Sequence, residues 1–163
     1  MLICAGTFRE LDFDSLMEVY LEGNRENGED LYPDESQERQ MELAKRDFES
    51  YLRENFYAQD NACYWLWSED GVYRSALRLE PYQDGLLLTA LETHPQMRRR
   101  GFAEKLVKAA LEYALNMTIY SHVSKKNIAS LRTHEKCGFR KILDYAVYAD
   151  GSVDDRCFTL CHE

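Results

Sequence analysis

The sequence has no apolar run that approaches the roughly 18 residues needed to cross a membrane as a helix. The opening residues, Met1–Cys4, lack the basic region of a secretory signal peptide, and Arg9 and Glu10 follow soon after. We therefore expect neither a membrane-spanning segment nor a cleaved leader. These absences predict a cytoplasmic protein without a membrane partner.

The sequence also lacks paired cysteines and clustered histidines. Its five cysteines are an odd number without a Cys-x-x-Cys pair, and its four histidines are scattered without the spacing of metal ligands. This usage is typical of free thiols in a reducing compartment rather than of a disulfide framework or a zinc site. We therefore expect free thiols at Cys4, Cys63, Cys137, Cys157 and Cys161, and no bound metal.

Positive charge is scarce, because 20 Lys and Arg residues face 29 Asp and Glu residues and give a formal net charge of −9. Binding to a phosphate backbone needs a broad basic surface, so this balance argues against nucleic acid as the main partner. The basic residues Arg98–Arg100, Lys105 and Lys108 stand out against this background and suit a polyanionic ligand. The acidic remainder suits a cationic ligand elsewhere, or serves solubility alone.

One stretch predicts a strand, a basic turn and a helix in succession. Leu86–Leu91 is an apolar run without polar alternation, which is typical of a strand covered on both faces. His94-Pro95 ends the strand, because proline cannot donate to a ladder and restricts the residue before it. Over residues 103–115, apolar side chains recur at helical spacing along one face.

The turn between this strand and helix has the properties of an anion site. A helix start presents backbone N–H groups without intrahelical partners, and the helix dipole adds partial positive charge there. Gly101 permits a positive φ and a close approach, Ala103 keeps the first turn slim, and Arg98–Arg100 stand in front. The turn suits a phosphate or pyrophosphate but lacks the residues of a P-loop or a dinucleotide fingerprint. A plain basic turn capping a core helix is the alternative.

The remaining patterns predict the element order β-α-α-β-β-β-α-β-α-β-β, which is of the α+β class. A helix capped by Asp12 precedes an acidic loop over residues 22–32, and a second helix begins near Pro33 with Asp34 and Gln37 spaced as a capping box. Turns are expected at residues 69–71, 80–85 and 150–151, with strands at 1–8, 61–67, 72–79, 117–123, 142–148 and 153–161. Without repeats or linkers, residues 1–163 are expected to form one domain.

The motif Arg98-x-x-Gly101-x-Ala103, directly after a strand and opening a helix, resembles the acyl-CoA motif of the GNAT superfamily of N-acyltransferases. A second motif falls after the predicted fifth strand, at the spacing that many GNAT proteins share. Its matching residues are Asn127, Ser130, Lys136, Gly138 and Phe139. The element order is also similar along nearly the whole chain. The resemblance implies a GNAT fold, with a mixed, mostly antiparallel central sheet flanked by helices.

The resemblance also implies acetyl-CoA as the acyl-donor cosubstrate and assigns its contacts. In the family, the amides of the turn hold the pyrophosphate, while the central strand and the second motif lie along the pantetheine arm. The residues so assigned are Leu91, Thr93, Arg98, Arg99, Arg100, Gly101, Phe102, Ala103, Asn127 and Ser130. The backbone N–H of Thr93 would also stabilise the negative charge that develops on the thioester oxygen.

Two catalytic candidates follow from the same resemblance. His134 stands where the family often has a tyrosine thought to protonate the departing thiolate, and an imidazole can donate a proton near neutral pH. Tyr120, Tyr145, Tyr148 or water are the alternatives. Glu92, at the end of the central strand, is the candidate base for an ammonium substrate. It could instead pair with an arginine of the turn, with ordered water as the base.

We therefore expect an N-acetyltransferase that transfers the acetyl group of acetyl-CoA to a primary amine, by direct attack in a ternary complex. The alternatives are a non-catalytic acyl-CoA-binding or sensing module, to which the departure at His134 points, and an interaction domain without coenzyme. The acidic segment from Glu22 to Glu35 suggests a cationic acceptor, such as a polyamine, an aminoglycoside-like compound or a lysine side chain, or else is only a solvated loop. Homodimers are common in the family.

Overall fold

The computed structural model describes residues 1–163 and contains nine strands and five α-helices. The strands are β1 (Leu2–Ala5), β2 (Cys63–Glu69), β3 (Val72–Tyr82), β4 (Gly85–Thr93), β5 (Ile119–Ser124), β6 (Arg140–Leu143), β7 (Ala146–Val147), β8 (Val153–Asp154) and β9 (Cys157–His162). The helices are α1 (Phe13–Val19), α2 (Leu21–Leu31), α3 (Gln37–Tyr51), α4 (Phe102–Tyr113) and α5 (Ile128–Lys136). None of these helices combines the length and the apolar character that crossing a bilayer requires.

Seven strands form the central sheet, in the order β1-β2-β3-β4-β5-β9-β6. Every neighbouring pair is antiparallel except β4 and β5, which are parallel and are joined by the crossover helix α4. The short strands β7 and β8 pair with each other outside this sheet. The predicted mixed, mostly antiparallel sheet is therefore confirmed.

The two faces of the sheet are covered by different helices. On one face, Leu106 and Val107 of α4 pack into a core cluster with Trp65 and Leu77 of the sheet. On the other face, α1 and the π-helical turn Leu52–Phe56 that follows α3 pack on side chains of β2 and β3. Because side chains alternate along a strand, β1, β2 and β3 contribute to both clusters, whereas β4, β5 and β9 contribute to the cluster beneath α4.

Strand β4 separates from β5 partway along its length. The parallel pairing covers only Leu86–Leu88 of β4, although the strand continues to Thr93. At the same place β4 carries a bulge, because Arg78 pairs with Thr89 while the next paired residue, Ala76, faces Glu92. Ala90, within the bulge, has a φ of 50°. The far half of β4 therefore presents an open edge on the side of β5.

The acidic segment predicted as a loop over residues 22–32 is a helix, α2, so that prediction is wrong. Glycine and asparagine lower helix propensity, but packing against α3 outweighs propensity here. Gly28 is buried, and a Cβ at this position would lie 2.8 Å from the carbonyl oxygen of Gln40. The glycine that indicates a loop in the sequence is in fact what lets two helices approach closely.

Several element boundaries also differ from the predictions, and the strands predicted at 142–148 and 153–161 are each divided in two, into β6 and β7 and into β8 and β9. Helix α3 is capped by Ser36, whose side chain accepts from the backbone N–H of Arg39, rather than by a capping box starting at Asp34. Strand β3 continues through Pro81, although a turn is predicted there. Pro81 lies beyond the last residue of β3 that pairs with β2, so its missing N–H costs no hydrogen bond to that strand. Leu115 falls after the end of α4 and is 72% exposed.

Two of the five predicted free thiols are joined, which corrects the expectation for Cys4 and Cys63. Their Cα atoms are 6.4 Å apart across the β1–β2 pair, and a disulfide connects them. They are separated by 59 residues in sequence, so no short-range cysteine motif could show the pairing. Cys137, Cys157 and Cys161 are free.

Candidate functional site

The basic turn before α4 adopts the geometry that its glycine predicts. Gly101 is the residue that begins the helix and has a φ of 78°, in the left-handed region that glycine adopts without strain. The first helical hydrogen bond runs from the N–H of Lys105 to the carbonyl of Gly101. The N–H groups of residues 102–104 therefore have no intrahelical carbonyl to bind and are available to an anion.

A second helix start lies across from this turn. The Asn127 side chain caps α5 by accepting from the N–H of Ser130 at 3.0 Å, as the sequence allows. Gly138 has a φ of 89° just after the helix, which fits the predicted C-terminal cap. The two motifs that are separated in sequence thus supply two neighbouring helix N-termini.

A cavity of about 700 Å³ lies between these two helix starts and the open edge of β4. We call it the larger cavity. It is lined by Leu91, Glu92, Thr93, Arg98, Arg99, Gly101, Phe102, Ala103, Glu104, Asn127, Ala129, Ser130, Arg132, Thr133 and Lys136. Partial positive charge from two helix dipoles and four cationic side chains face this space, so the cavity suits a long, anionic ligand.

Nine of the ten residues assigned to the coenzyme line this cavity, and Arg100 does not. Arg98, Arg99 and Arg100 are all exposed, so Arg100 differs from the other two only in lying outside the cavity wall. Arg98 is already engaged, because its Nη2 lies 2.6 Å from Glu22 Oε2 and 3.9 Å from Glu92 Oε2. The contacts of all ten residues with a coenzyme stay predictions.

Sequence reasoning did not assign Arg132 and Lys136 of α5 to the site, although both line the larger cavity. Their i, i+4 spacing after the Asn127 cap was a usable signal, because it places both cations on one helix face. Lys136 Nζ is 4.0 Å from Glu104 Oε2, which also belongs to the wall. These residues extend the basic lining along α5.

Glu92, the candidate base, lies near the end of β4 and lines the larger cavity. Its register partner is Ala76, which packs on the helical face formed by α1, so the Glu92 side chain points to that face. The carboxylate is about half exposed, at 48%. Its burial raises the pKa of Glu92, and Glu22 and Glu26 act in the same direction, whereas Arg98 lowers it. A carboxyl whose pKa is raised toward neutrality is a better proton acceptor than an ordinary one.

The structure places His134 in the interior rather than on the cavity wall. The imidazole is 1% exposed, and its ring packs against Phe139 at a centroid distance of 5.0 Å. Its Nδ1 lies 2.9 Å from the carbonyl oxygen of Ser130, so Nδ1 must carry the proton of that hydrogen bond. Burial lowers the pKa of His134, which favours the neutral ring, and Nε2 then has no proton to donate. The acid role of His134 stays a prediction that this geometry does not support.

None of the three tyrosines considered as alternative acids lines the larger cavity. The hydroxyl of Tyr120 donates to Asp84 at 2.7 Å, and this bond raises the pKa of Tyr120 to about 12. The hydroxyl of Tyr148 lies 3.3 Å from Asp154 Oδ2. The hydroxyls of Tyr120 and Tyr148 therefore have partners outside the larger cavity, and Tyr145 does not line the cavity either.

A second cavity of about 360 Å³ lies on the opposite face of the sheet, between β4 and the first three helices. We call it the smaller cavity. Its wall includes Tyr20 and Asn24 from the α1–α2 region, Phe48 of α3, and Arg78 of β3. It meets β4 at Ala90, whose carbonyl accepts from the Tyr20 hydroxyl at 2.6 Å. The two cavities therefore adjoin at the bulge, one on each side of β4.

Comparison with known proteins shows what this arrangement is similar to. The sequence model of the acetyltransferase (GNAT) family matches residues 25–139. No curated protein matches the chain in sequence.

Solved structures share the architecture at low sequence identity. The PaiA N-acetyltransferase from Thermoplasma acidophilum, in complex with coenzyme A, is 15% identical with a TM-score of 0.66, over 100% of this chain and 99% of that one. The ribosomal-protein-S18-alanine N-acetyltransferase from Escherichia coli is 14% identical with a TM-score of 0.60, over 99% and 92%. A chimera of the spermidine N-acetyltransferase SpeG from Vibrio cholerae and hSSAT is 19% identical with a TM-score of 0.61, over 98% and 93%. At these identities the likeness shows the fold alone.

Proposed function

The chain belongs to the GNAT acetyltransferase family, whose members transfer an acyl group from acyl-CoA to an amine, and on this premise we propose that it is an N-acetyltransferase that uses acetyl-CoA and a primary amine. The two sequence motifs already pointed to this family, and the sheet order carries its fold. The acceptor and the acyl group are the parts that the proposal adds.

The observation that carries the proposal is the larger cavity at the open edge of β4. In this proposal the free N–H groups of residues 102–104 bind the pyrophosphate, and Arg99 contributes charge beside them. The pantetheine arm then runs along Leu91–Thr93, where β4 has left β5 and its backbone groups are open to an extended ligand. The thioester would lie at the end of β4, near Glu92.

The proposed reaction is direct attack of the amine on the thioester carbonyl. Holding both reactants on β4 supplies much of the acceleration, since a bimolecular encounter becomes an intramolecular one. The N–H of Thr93 stabilises the charge that develops on the carbonyl oxygen. Glu92 takes a proton from the ammonium group, and water protonates the departing thiolate. No residue of the chain becomes acylated in this scheme.

Thermal denaturation with and without saturating acetyl-CoA tests the donor site. Ligand at 100 times its dissociation constant adds about 2.7 kcal/mol of stability. For a chain of this size that is roughly 5–10 °C in Tm. The Arg99→Glu variant should lose most of this shift, because it places a carboxylate in the wall of the larger cavity. Arg140→Glu is the matched control, because it makes the same charge change at an exposed residue of β6, whose ion-pair partner is Glu163.

A non-catalytic acyl-CoA sensor is the second candidate, and the buried His134 is the observation that favours it. The test is thiol release from acetyl-CoA in the presence of amines. Stabilisation by acetyl-CoA without thiol release from any amine would establish the sensor. Absence of stabilisation at millimolar acetyl-CoA would exclude both the enzyme and the sensor.

A further inference from the structure

The guanidinium of Arg78 lies partly buried in the wall of the smaller cavity and forms no ion pair with a carboxylate of the chain. Its Nε and Nη1 atoms are buried and have no hydrogen-bond acceptor. The guanidinium lies 5.1 Å from the centroid of the Tyr51 ring and 5.5 Å from that of Phe56. A buried charge without a partner is unfavourable, so a side chain of this kind indicates a binding role.

A second unsatisfied donor lies in the same wall. The hydroxyl of Tyr64 is buried and has no hydrogen-bond partner. The neighbouring Tyr20 hydroxyl is already used, because it donates to the carbonyl of Ala90. The Tyr20 hydroxyl oxygen is an acceptor close to the Tyr64 hydroxyl, although the two do not form a hydrogen bond of full geometry. The smaller cavity thus offers a guanidinium without an acceptor and a hydroxyl that can turn to a ligand, which is the donor set that a carboxylate satisfies.

The acidic side chains near Arg78 are committed to other partners. Asp47, in the cavity wall, receives hydrogen bonds from Arg46 and from the Tyr32 hydroxyl. Glu80, on the same strand as Arg78, accepts from Thr89 Oγ1 at 3.1 Å and from Gln59 Nε2 at 3.3 Å. Glu80 acts on the guanidinium through space, but no carboxylate of the protein forms an ion pair with it, so Arg78 can still pair with the anion of a ligand.

Negative charge lies where the larger cavity adjoins the smaller one, at Glu92. Glu92 points to the same face of the sheet as Arg78, as its register with Ala76 shows, and Glu22 lies near it through Arg98. The charge on the acceptor side therefore changes sign over a short distance, from Arg78 to Glu92. A small zwitterion fits this order, with its carboxylate at Arg78 and its ammonium group toward Glu92 and the thioester.

We propose that the smaller cavity binds the amine acceptor and that this acceptor is an amino acid or similar small amine bearing a carboxylate, which pairs with Arg78 and Tyr64. This inference rests on the proposed function and specifies its substrate class. In the reaction the amine nitrogen bonds to the acetyl carbon and the C–S bond breaks. The products are the N-acetyl amino acid, the free thiol of coenzyme A and one proton. The aromatic wall formed by Tyr20, Phe48 and Tyr51 suits an apolar side chain.

Thiol release from acetyl-CoA, measured with matched pairs of amines, tests the inference. The probes are glycine, β-alanine, γ-aminobutyrate, L-leucine and L-phenylalanine, each compared with its amide, together with spermidine as a purely cationic amine. For the preferred probe we expect kcat/KM to exceed that of its amide by at least about tenfold, because the amide leaves the buried guanidinium unpaired. Spermidine should be a poorer acceptor than that probe.

Variants then assign the preference to the residues. Arg78→Gln should bring the ratio of kcat/KM for acid and amide close to one, Arg78→Lys should retain part of it, and Tyr64→Phe should reduce it. Arg74→Gln is the matched control, since Arg74 lies on the same strand but outside both cavities and should keep the ratio. Tyr64→Phe and Arg78→Lys remain informative if Arg78→Gln does not fold.

The failures of the two proposals are distinguishable. If amides or spermidine are used as well as the acids, if no carboxylate-bearing probe releases thiol, or if Arg78→Gln keeps the ratio, the inference is overturned. In those cases stabilisation by acetyl-CoA persists. If acetyl-CoA neither stabilises the protein nor is consumed with any amine, the proposed function itself fails.

Discussion

At the scale of single residues, Arg99 and Arg100 are neighbours of equal charge with different surroundings. Arg99 lines the larger cavity, whereas the side chain of Arg100 is exposed outside it. Arg99→Glu should therefore weaken binding of coenzyme A by about tenfold or more, and Arg100→Glu should weaken it several-fold less. Isothermal titration at low and high salt measures both. Equal losses that disappear together at high salt would show that only long-range charge matters.

Glu92 should give the reaction a pH dependence that an ordinary carboxylate would not. Only the ionised form accepts a proton, and burial together with Glu22 and Glu26 raises the pKa of Glu92. Activity should therefore increase with pH through a midpoint above the usual carboxyl range. Glu92→Gln should lower kcat by about 10²–10⁴-fold and remove this limb of the profile. Arg98→Gln removes a charge that lowers the pKa, so the midpoint should move to higher pH. An unchanged midpoint in that variant would assign the limb to another group.

Arg78 also predicts an effect on stability in the absence of ligand. Burial of Nε and Nη1 without acceptors is unfavourable in the free protein, and the rings of Tyr51 and Phe56 and the charge of Glu80 offset it in part. Arg78→Met keeps the apolar stem and should raise the free energy of unfolding by about 1 kcal/mol. Urea denaturation of the ligand-free protein checks this. A clear loss of stability would mean that the guanidinium has a structural role within the chain.

Single residues were predictable from the sequence where local geometry decides, and not where packing does. Gly101, Asn127 and Gly138 have backbone or capping roles that follow from their own chemistry and spacing. The burial of His134 was not predictable, because its i−4 hydrogen bond and its contact with Phe139 exist only once α5 has packed. The role of Arg78 was not predictable either, because β3 also contains Arg74 and Glu80 and nothing in the sequence distinguishes Arg78 from them.

At the scale of elements, α2 is the helix whose sequence argues most against it. Gly28 sits where a Cβ would meet the Gln40 carbonyl oxygen at 2.8 Å, whereas a Cβ at Gly23 would have nothing within 4 Å. Gly28→Ala should destabilise the protein by about 1–3 kcal/mol through overpacking of α2 against α3. Gly23→Ala, in the same helix, should stabilise it by about 0.5–1 kcal/mol. Thermal unfolding of the two variants compares them, and equal effects would contradict this account of the packing.

Elements that are determined by local propensity and periodicity were predicted correctly, while elements that depend on packing against a neighbouring element were not. The strand–turn–helix unit of β4 and α4 appears as predicted, because its apolar period, its proline and its glycine all favour the same structure. Helix α2 was missed because two glycines and two asparagines outweigh its weak apolar pattern when it is considered alone. The partial pairing of β4 with β5, which opens the larger cavity, depends on strand register that the sequence does not encode locally.

At the scale of the whole molecule, the sheet separates two kinds of ligand environment. The side of α4 and α5 offers helix N-termini and basic side chains, and the side of the first three helices offers aromatic rings, one unpaired guanidinium and a group of carboxylates. From the net charge of −9 one could predict only two things. The few clustered basic residues should bind a polyanion, and the acidic remainder of the surface should attract a cation. The Arg78 side chain refines that second expectation from a cation to a zwitterion, which composition alone could not show.

The disulfide between Cys4 and Cys63 links the first strand of the sheet to the second across 59 residues that include α1, α2 and α3. Closing a loop of this length restricts the unfolded chain and typically stabilises a fold by about 2–4 kcal/mol. Reduction with dithiothreitol should therefore lower Tm by roughly 5–10 °C.

A Cys4→Ser/Cys63→Ser double variant should show the lower Tm without reductant, and adding reductant should lower it no further. Cys157→Ser, at one of the free thiols, should still respond to reduction like the unchanged protein. Cys63 directly precedes Tyr64 of the smaller cavity's wall. A change in the ratio of acid to amide turnover in the double variant would therefore show that the disulfide also positions the site.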